Sequence, residues 1–357
     1  MRIAYVIGAR PNFVKMAPVI AELRSRLPSG AHRIIHTGQH YDRLMSAVFL
    51  DELDVPEPDH LLEVGPGSHA VQTARVMERL ERVLVAEQPD LVVVAGDVNS
   101  TLATTLVSVK LGIPTAHVES GLRSWDRTMP EEVNRIVADV FAQHLFAHSA
   151  DAVDNLRAEG IPEERVHLVG NTMIDSIVAM EHRFRERDTA AQFGLERGGY
   201  LLVTLHRPAL VDGPLLADAM SALEIVASDL PVLFPIHPRT RKALSTPNSS
   251  ACLQLVEPLG YLDFLSLESD ARAVLTDSGG IQEESTYLNI PCFTLRDNTE
   301  RPITVRAGTN TVLGLQPRSI TNIPTLLAAP KTIGQPPALW DGRSASRIAD
   351  IVARVFS

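Results

Sequence analysis

The 357-residue chain reads as an α/β protein of two Rossmann-like domains whose parallel sheets face a cleft. Three observations predict this architecture. Short apolar, β-rich runs alternate with amphipathic stretches along the whole chain, the pattern of βαβ units and parallel sheets. The length exceeds what one hydrophobic core usually serves, so two domains of roughly 170 residues follow. The unusual polar residues fall where the apolar runs end, and in an open parallel sheet those ends line the binding crevice.

In order, the first half carries predicted strands at 2–7, 33–37, 90–95, 114–119, 144–148 and 166–169. Gly8-Ala9-Arg10-Pro11 follows the first, His36-Thr37-Gly38-Gln39-His40 ends the second, Gly96-Asp97-Val98-Asn99-Ser100 follows the third, and Glu119-Ser120-Gly121-Leu122-Arg123 ends the fourth. The polar stretch 181–199 then interrupts the alternation. The domain boundary is placed in Gly170-Asn171-Thr172, giving an N-terminal domain over 1–171 and a nucleotide-binding C-terminal domain over 172–343. The second half carries strands at 200–205, 231–236, 253–257, 273–276 and 291–295, with His206-Arg207 and His237-Pro238-Arg239 at the ends of the first two. The tail, 344–357, has helical spacing and is expected to return to the first domain.

Composition narrows the function. With 33 basic against 43 acidic residues the net charge is −10, which argues against nucleic acid or an anionic membrane as partner. No apolar run approaches the ~20 residues of a membrane span and the chain opens on a strand, so a soluble cytoplasmic protein is expected. Cys252 and Cys292 are too few for a disulfide framework or thiolate metal site and read as core residues. No His, Asp or Cys spacing suits a metal, and no metal or cofactor is expected. Gly65-Pro66-Gly67-Ser68-His69-Ala70 resembles a dinucleotide fingerprint but lacks the preceding strand and acidic partner, and reads instead as a mobile loop over a ligand.

The most informative segment is Ala273 to Glu284: a buried strand, the turn Asp277-Ser278-Gly279-Gly280, and a helix start whose free N–H groups attract an anion. Glu283 or Glu284, one turn in, is placed to accept from ribose hydroxyls, so the segment reads as a nucleotide-diphosphate clamp; an ordinary N-capped helix is the plain alternative. Arg10 and Lys15 bracket the first helix start as phosphate contacts or solvated cations, and Arg301 is either a further phosphate contact or the ion-pair partner of Glu300. Asp97, Glu119 and Glu131 form a carboxylate set whose mutual repulsion suits acid–base work near neutrality, although Asp97 also fits an N-cap and Glu131 an acidic first helical turn. His206 and His237, each close to an arginine, join this set as strand-end histidines.

Taken together and in this order, these stretches, with His117-Val118-Glu119-Ser120-Gly121-Leu122-Arg123, Met129-Pro130-Glu131-Glu132-Val133-Asn134-Arg135 and Thr299-Glu300-Arg301-Pro302, resemble the non-hydrolysing UDP-N-acetylglucosamine 2-epimerases over nearly the full chain. The resemblance implies a glycosyltransferase-B-like fold, a homodimer, and a UDP-sugar substrate. It also implies anti elimination of UDP to a 2-acetamidoglucal, followed by re-addition with C2 inverted. Carried over by position, Asp97, Glu119, Glu131 and His206 are catalytic; Arg10, Ser278, Gly279, Gly280 and Arg301 hold the diphosphate; Glu284 holds the ribose; Lys15 and His237 support the site. Pro208-Ala209-Leu210 departs from the family's usual continuation of His-Arg. Gln39-His40-Tyr41-Asp42 with Met45-Ser46 is similar to the branch acting on modified sugars such as 2,3-diacetamido uronic acids, for which no activating second UDP-sugar site is expected. A hydrolysing relative and a glycosyltransferase of the same fold are the alternatives.

Overall fold

The computed structural model describes residues 1–38, 50–244, 252–329 and 334–356, with Arg10 described in its backbone only. The predicted Gln39-His40 motif and its continuation through Ser46 lie outside the described residues. The chain divides into two compact units, Met1–Ala179 with Ala338–Ser357, and Met180–Pro337.

The first unit holds a seven-stranded parallel sheet: β1 (Ile3–Ile7), β2 (His32–His36), β3 (His60–Leu61), β4 (Leu91–Ala95), β5 (Thr115–Ser120), β6 (His144–Ala147) and β7 (Val166–Leu168). Its spatial order is β3-β2-β1-β4-β5-β6-β7. Every residue of β1, β4 and β5 is buried, as continuous runs rich in Val, Ile and Ala require when helices cover both faces. The connections run one way from β1 through β3 and then return past β1 to β4. The switch point therefore lies between β1 and β4, where the ends of adjacent strands diverge and leave a crevice.

The second unit repeats the plan with six parallel strands: β8 (Leu201–Thr204), β9 (Val232–Pro235), β10 (Leu253–Val256), β11 (Ala273–Thr276), β12 (Cys292–Thr294) and β13 (Asn310–Val312), in the order β10-β9-β8-β11-β12-β13. Here the switch falls between β8 and β11. Two strands escape sequence reading, β3 and β13. Both are edge strands of two or three residues with a single neighbour, too short to display an apolar run. Cys292 is buried in β12, but Cys252 is exposed just ahead of β10, so the expectation that both fill the core holds only for Cys292.

The helix Ser344–Val355 belongs to the first unit. Asp175 caps its start, accepting from the Ser344 and Ala345 amides at 3.1 and 2.7 Å. Just upstream, Trp340 is buried and donates its indole N–H to the His148 carbonyl at 3.0 Å. Trp340→Ala is therefore expected to cost about 3–5 kcal/mol, read from the urea midpoint, by leaving a cavity and an unpaired carbonyl. No helix among the described residues is long and apolar enough to cross a membrane.

Candidate active site

The first unit gathers its polar groups at the β1/β4 switch point. Asn12 clamps it: its Oδ1 accepts from the Gly8 and Ala9 amides at 3.3 and 3.1 Å, while its Nδ2 donates to the Ala95 carbonyl at 2.8 Å, tying the two strand ends together. One turn on, the Lys15 ammonium donates to Glu119 Oε2, and both residues are only 7% exposed. Gly96 makes room for that pair, since a Cβ there would stand 3.1 Å from Lys15 Nζ and 3.2 Å from Glu119 Oε2. Glu119 itself has φ +67°, and the β5–β6 register breaks between Val118 and Ser120. A left-handed backbone at a buried glutamate is costly, and with the bulge it re-aims the side chain out of the ladder.

Asp97 is paired with Arg135, whose other amino group reaches Glu132 Oε2 at 2.9 Å. Glu132 is fully buried and accepts from the Ser124 amide and hydroxyl, each at 2.9 Å, and from the Trp125 amide at 2.8 Å. It thus shapes the loop, whereas its neighbour Glu131 is half-buried and has no hydrogen bond or ion pair among the described residues. Mutual repulsion is not what organises these carboxylates: Asp97 and Glu119 each have a cation of their own. Arg135 and Asn12 were not anticipated as site residues. Their reach is tertiary, and only Arg135's place in the Met129–Arg135 stretch hinted at it.

Behind this group lies a buried network. His117 bonds Asp139 Oδ1 through Nδ1 and the Gly96 carbonyl through Nε2, both at 2.7 Å. Both partners only accept, so satisfying them needs an N–H on each ring nitrogen. Asp139 also accepts from the Gly121 amide at 3.0 Å and from Arg123 at 2.7 Å. The network thereby holds the backbone on either side of Glu119 and just ahead of Asp97. Burial alone would raise the Asp139 carboxyl, but the charges and hydrogen bonds of His117 and Arg123 outweigh it and hold it below its ordinary value. Because the folded value is depressed, the stability it contributes is present above the ordinary carboxylate range, about pH 4, and is lost as pH falls from there. We expect Asp139→Asn to cost about 3–5 kcal/mol at neutral pH, measured by urea unfolding, and to flatten the acid limb of the stability profile.

The predicted covering loop is tied down. Ser68 caps the helix His69–Glu87, Arg79 donates to the Leu62 and Glu63 carbonyls at 2.5 and 2.7 Å, and Arg75 donates to those of Val64 and Pro66 at 3.2 Å.

In the second unit, the β8/β11 switch point carries the predicted clamp. Asp277 is buried and accepts from the His206 and Arg207 amides at 2.8 and 2.7 Å, fastening the end of β8 to that of β11, while His206 Nδ1 stands 3.2 Å from its other oxygen. The His206 and His237 rings lie 5.6 Å apart. His237 is also a helix cap, accepting from the Arg239 amide at 3.1 Å. Ser278 is the N-cap residue of the helix Gly279–Leu288, and the Arg301 guanidinium lies against Gly279, where a Cβ would come 2.3 Å from Nη1. Arg301 is buried beside Glu283 (3.0 Å) and Glu300 (3.4 Å). Glu300 is in turn forked by Arg296 at 2.8 and 2.5 Å. Burial would raise Glu300, but Arg296, Arg301 and Arg207 together drive it far below the usual carboxylate range. The anticipated Glu300–Arg301 pair is therefore part of a buried charge array that brings a guanidinium to a helix start. Glu284 is buried one turn in and accepts from the Tyr261 hydroxyl at 2.6 Å.

Comparison with known proteins bears on these two groups. The family model described as UDP-N-acetylglucosamine 2-epimerase matches residues 24–353. A UDP-N-acetylglucosamine 2-epimerase of Methanococcus maripaludis is 39% identical over 364 residues, 98% of each chain. A UDP-2,3-diacetamido-2,3-dideoxy-D-glucuronate 2-epimerase of Pseudomonas aeruginosa is 38% identical over 360 residues, covering 99% of this chain and 100% of its own. The crystal structure of Methanocaldococcus jannaschii UDP-GlcNAc 2-epimerase in complex with UDP-GlcNAc and UDP matches with a TM-score of 0.89 at 38% identity, over 99% of this chain and 100% of that one. The two parallel-sheet α/β units fall in the same glycosyltransferase-B-like class.

Proposed function

Because the chain belongs to the UDP-N-acetylglucosamine 2-epimerase family, we propose that it reversibly inverts C2 of a UDP-2-acetamido sugar without hydrolysing it. The substrate is UDP-N-acetylglucosamine or a modified derivative. The observation that carries this reading is the buried Lys15–Glu119 pair at the strand ends, with Asp97–Arg135 beside it.

No carbonyl adjoins C2 to acidify its hydrogen, so removal of that proton is coupled to loss of UDP. A carboxylate takes the C2 proton, the C–H electrons form the C1=C2 bond, and the C1–O bond breaks with its pair leaving on the diphosphate. Return of a proton to the opposite face of C2 and attack of the phosphate oxygen on C1 give the epimer. Asp97, Glu119 and Glu131 serve proton transfer and the positive charge developing at C1, and His206 acts as acid or leaving-group contact. The Ser278-Gly279-Gly280 helix start, Arg301 and Arg10 hold the diphosphate, Glu284 the ribose, and Lys15 and His237 support the site. Lys15 holds its ammonium against the Glu119 carboxylate in a buried setting and so fixes that side chain in place.

Phosphorus NMR during turnover tests the mode of reaction. The expected result is a second UDP-sugar at equilibrium with the first; steady accumulation of free UDP instead identifies a hydrolysing enzyme. Running UDP-N-acetylglucosamine beside its 3-acetamido uronic acid derivative selects between the two relatives' substrates. We further propose a cytoplasmic homodimer. Val133 and Val140, two turns apart on the helix Pro130–Phe141, and the adjacent Phe141 are each 44% exposed and support the dimer, and light scattering at the mass of a monomer would exclude it.

A further inference from the structure

On the reading that Glu284 holds the ribose, we infer that Glu268 is its positioning residue: a buried carboxyl that keeps its proton, donates it in a hydrogen bond to Glu284, and so keeps Glu284 an ionised acceptor. Glu268 sits on the helix Tyr261–Asp270 with no exposed surface, and Glu284, on Gly279–Leu288, is 3% exposed. The two carboxyl groups are in hydrogen-bonding reach of each other. Tyr261 Oη supplies one donor, to Glu284 Oε1 at 2.6 Å. Both oxygens of Glu268 and Oε2 of Glu284 have no donor among the described residues, and no cation pairs with either side chain there.

Two adjacent buried carboxylates with no cation cannot both stay ionised, and buried acceptors left without donors are expensive. One proton between them answers both demands. Tyr261 decides its place: its hydroxyl stabilises charge on Glu284, so the proton belongs on Glu268.

Among the described residues the charged and titratable neighbours hold no cation against the pair. Glu283, on Glu284's own helix, is turned to Arg301 at 3.0 Å. Cys292, on β12, is a thiol pushed up to about 12, first by burial and slightly by the field of Glu268. Tyr200, ahead of β8, is also pushed up, first by burial and in small part by Asp270 and Glu268, and it donates to the Leu267 carbonyl at 2.5 Å. Burial is likewise the main cause raising the pair itself: Glu284 rises to about 7, and Glu268 goes well above its ordinary value. The pair therefore titrates as a unit, above the ordinary carboxylate range. Loss of its proton sets two charges against each other and weakens the grip on the ribose hydroxyls.

The test compares affinity for UDP with that for 2′,3′-dideoxy-UDP, a ratio in which titration of the phosphates cancels, from about pH 7 to about pH 9. The wild-type ratio is expected to fall about tenfold or more across that range, and in Glu268→Gln, whose amide donates at every pH, to stay flat. A flat wild-type ratio, or an unchanged fall in Glu268→Gln, overturns the inference. Glu284→Gln addresses the underlying reading separately, since the ratio should drop to about one at all pH values. If it does not, the ribose is held elsewhere. The proton itself is then read from thermal melting. A carboxyl raised in the folded state stabilises while protonated, so wild-type stability should decline as pH rises from about 5 to about 8, with Glu268→Gln making the decline measurably shallower. Absence of any decline refutes the shared proton.

Discussion

Glu119→Gln is expected to lower kcat by about 10²–10⁴-fold, the range for loss of a positioned acid–base group. The swap is nearly isosteric, so substrate affinity should change far less than turnover. It also strands the ammonium of the buried Lys15 without its carboxylate, which costs about 3–5 kcal/mol. A loss of activity through unfolding must be separated from a loss of chemistry. The double variant Lys15→Met/Glu119→Gln removes both charges and should recover most of the melting temperature, because a buried pair replaced as a unit is often neutral. Turnover should not recover. Restored activity in the double variant would make Glu119 a structural residue and leave proton transfer to Asp97 or Glu131.

Gly279→Ala should weaken UDP binding about ten- to hundredfold with kcat less affected. The Cβ would lie 2.3 Å from Arg301 Nη1 and 2.7 Å from its Cζ, so the guanidinium must leave the helix start. Arg301 is itself buried beside Glu283 and Glu300, so its displacement also disturbs those ion pairs. One charge-assisted contact to a phosphate is worth about 1.5–3 kcal/mol, which sets the size of the effect. Isothermal titration with UDP measures it directly. Unaltered affinity would show that the diphosphate does not rest on this turn.

The parallel sheets were legible in the sequence because their strands are buried on both faces and so appear as unbroken apolar runs, Leu91–Ala95 being the clearest. The strand-end motifs were legible for a related reason: Gly96 and Gly279 leave space that any side chain would fill. Edge strands β3 and β13 have no such signature. Partnerships were less visible than positions. That Arg135 reaches back to Asp97, and that Asp139 locks His117 and Gly121, depends on which elements the fold brings together over separations no local pattern records. The Glu131-Glu132 pair shows the limit well. Two adjacent acids on one helical turn look alike in sequence, yet one is enclosed by Ser124, Trp125 and Arg135 and the other is half-buried and shares none of those bonds.

The account turns on proton removal from C2 by side chains of the first unit. Its most direct test is turnover of the UDP-sugar in deuterium oxide, with proton NMR at C2 of the recovered epimers. The predicted result is deuterium at C2 in the product epimer, at a rate that falls with epimerisation in Glu119→Gln. An epimer formed with its original hydrogen still at C2 would contradict the account.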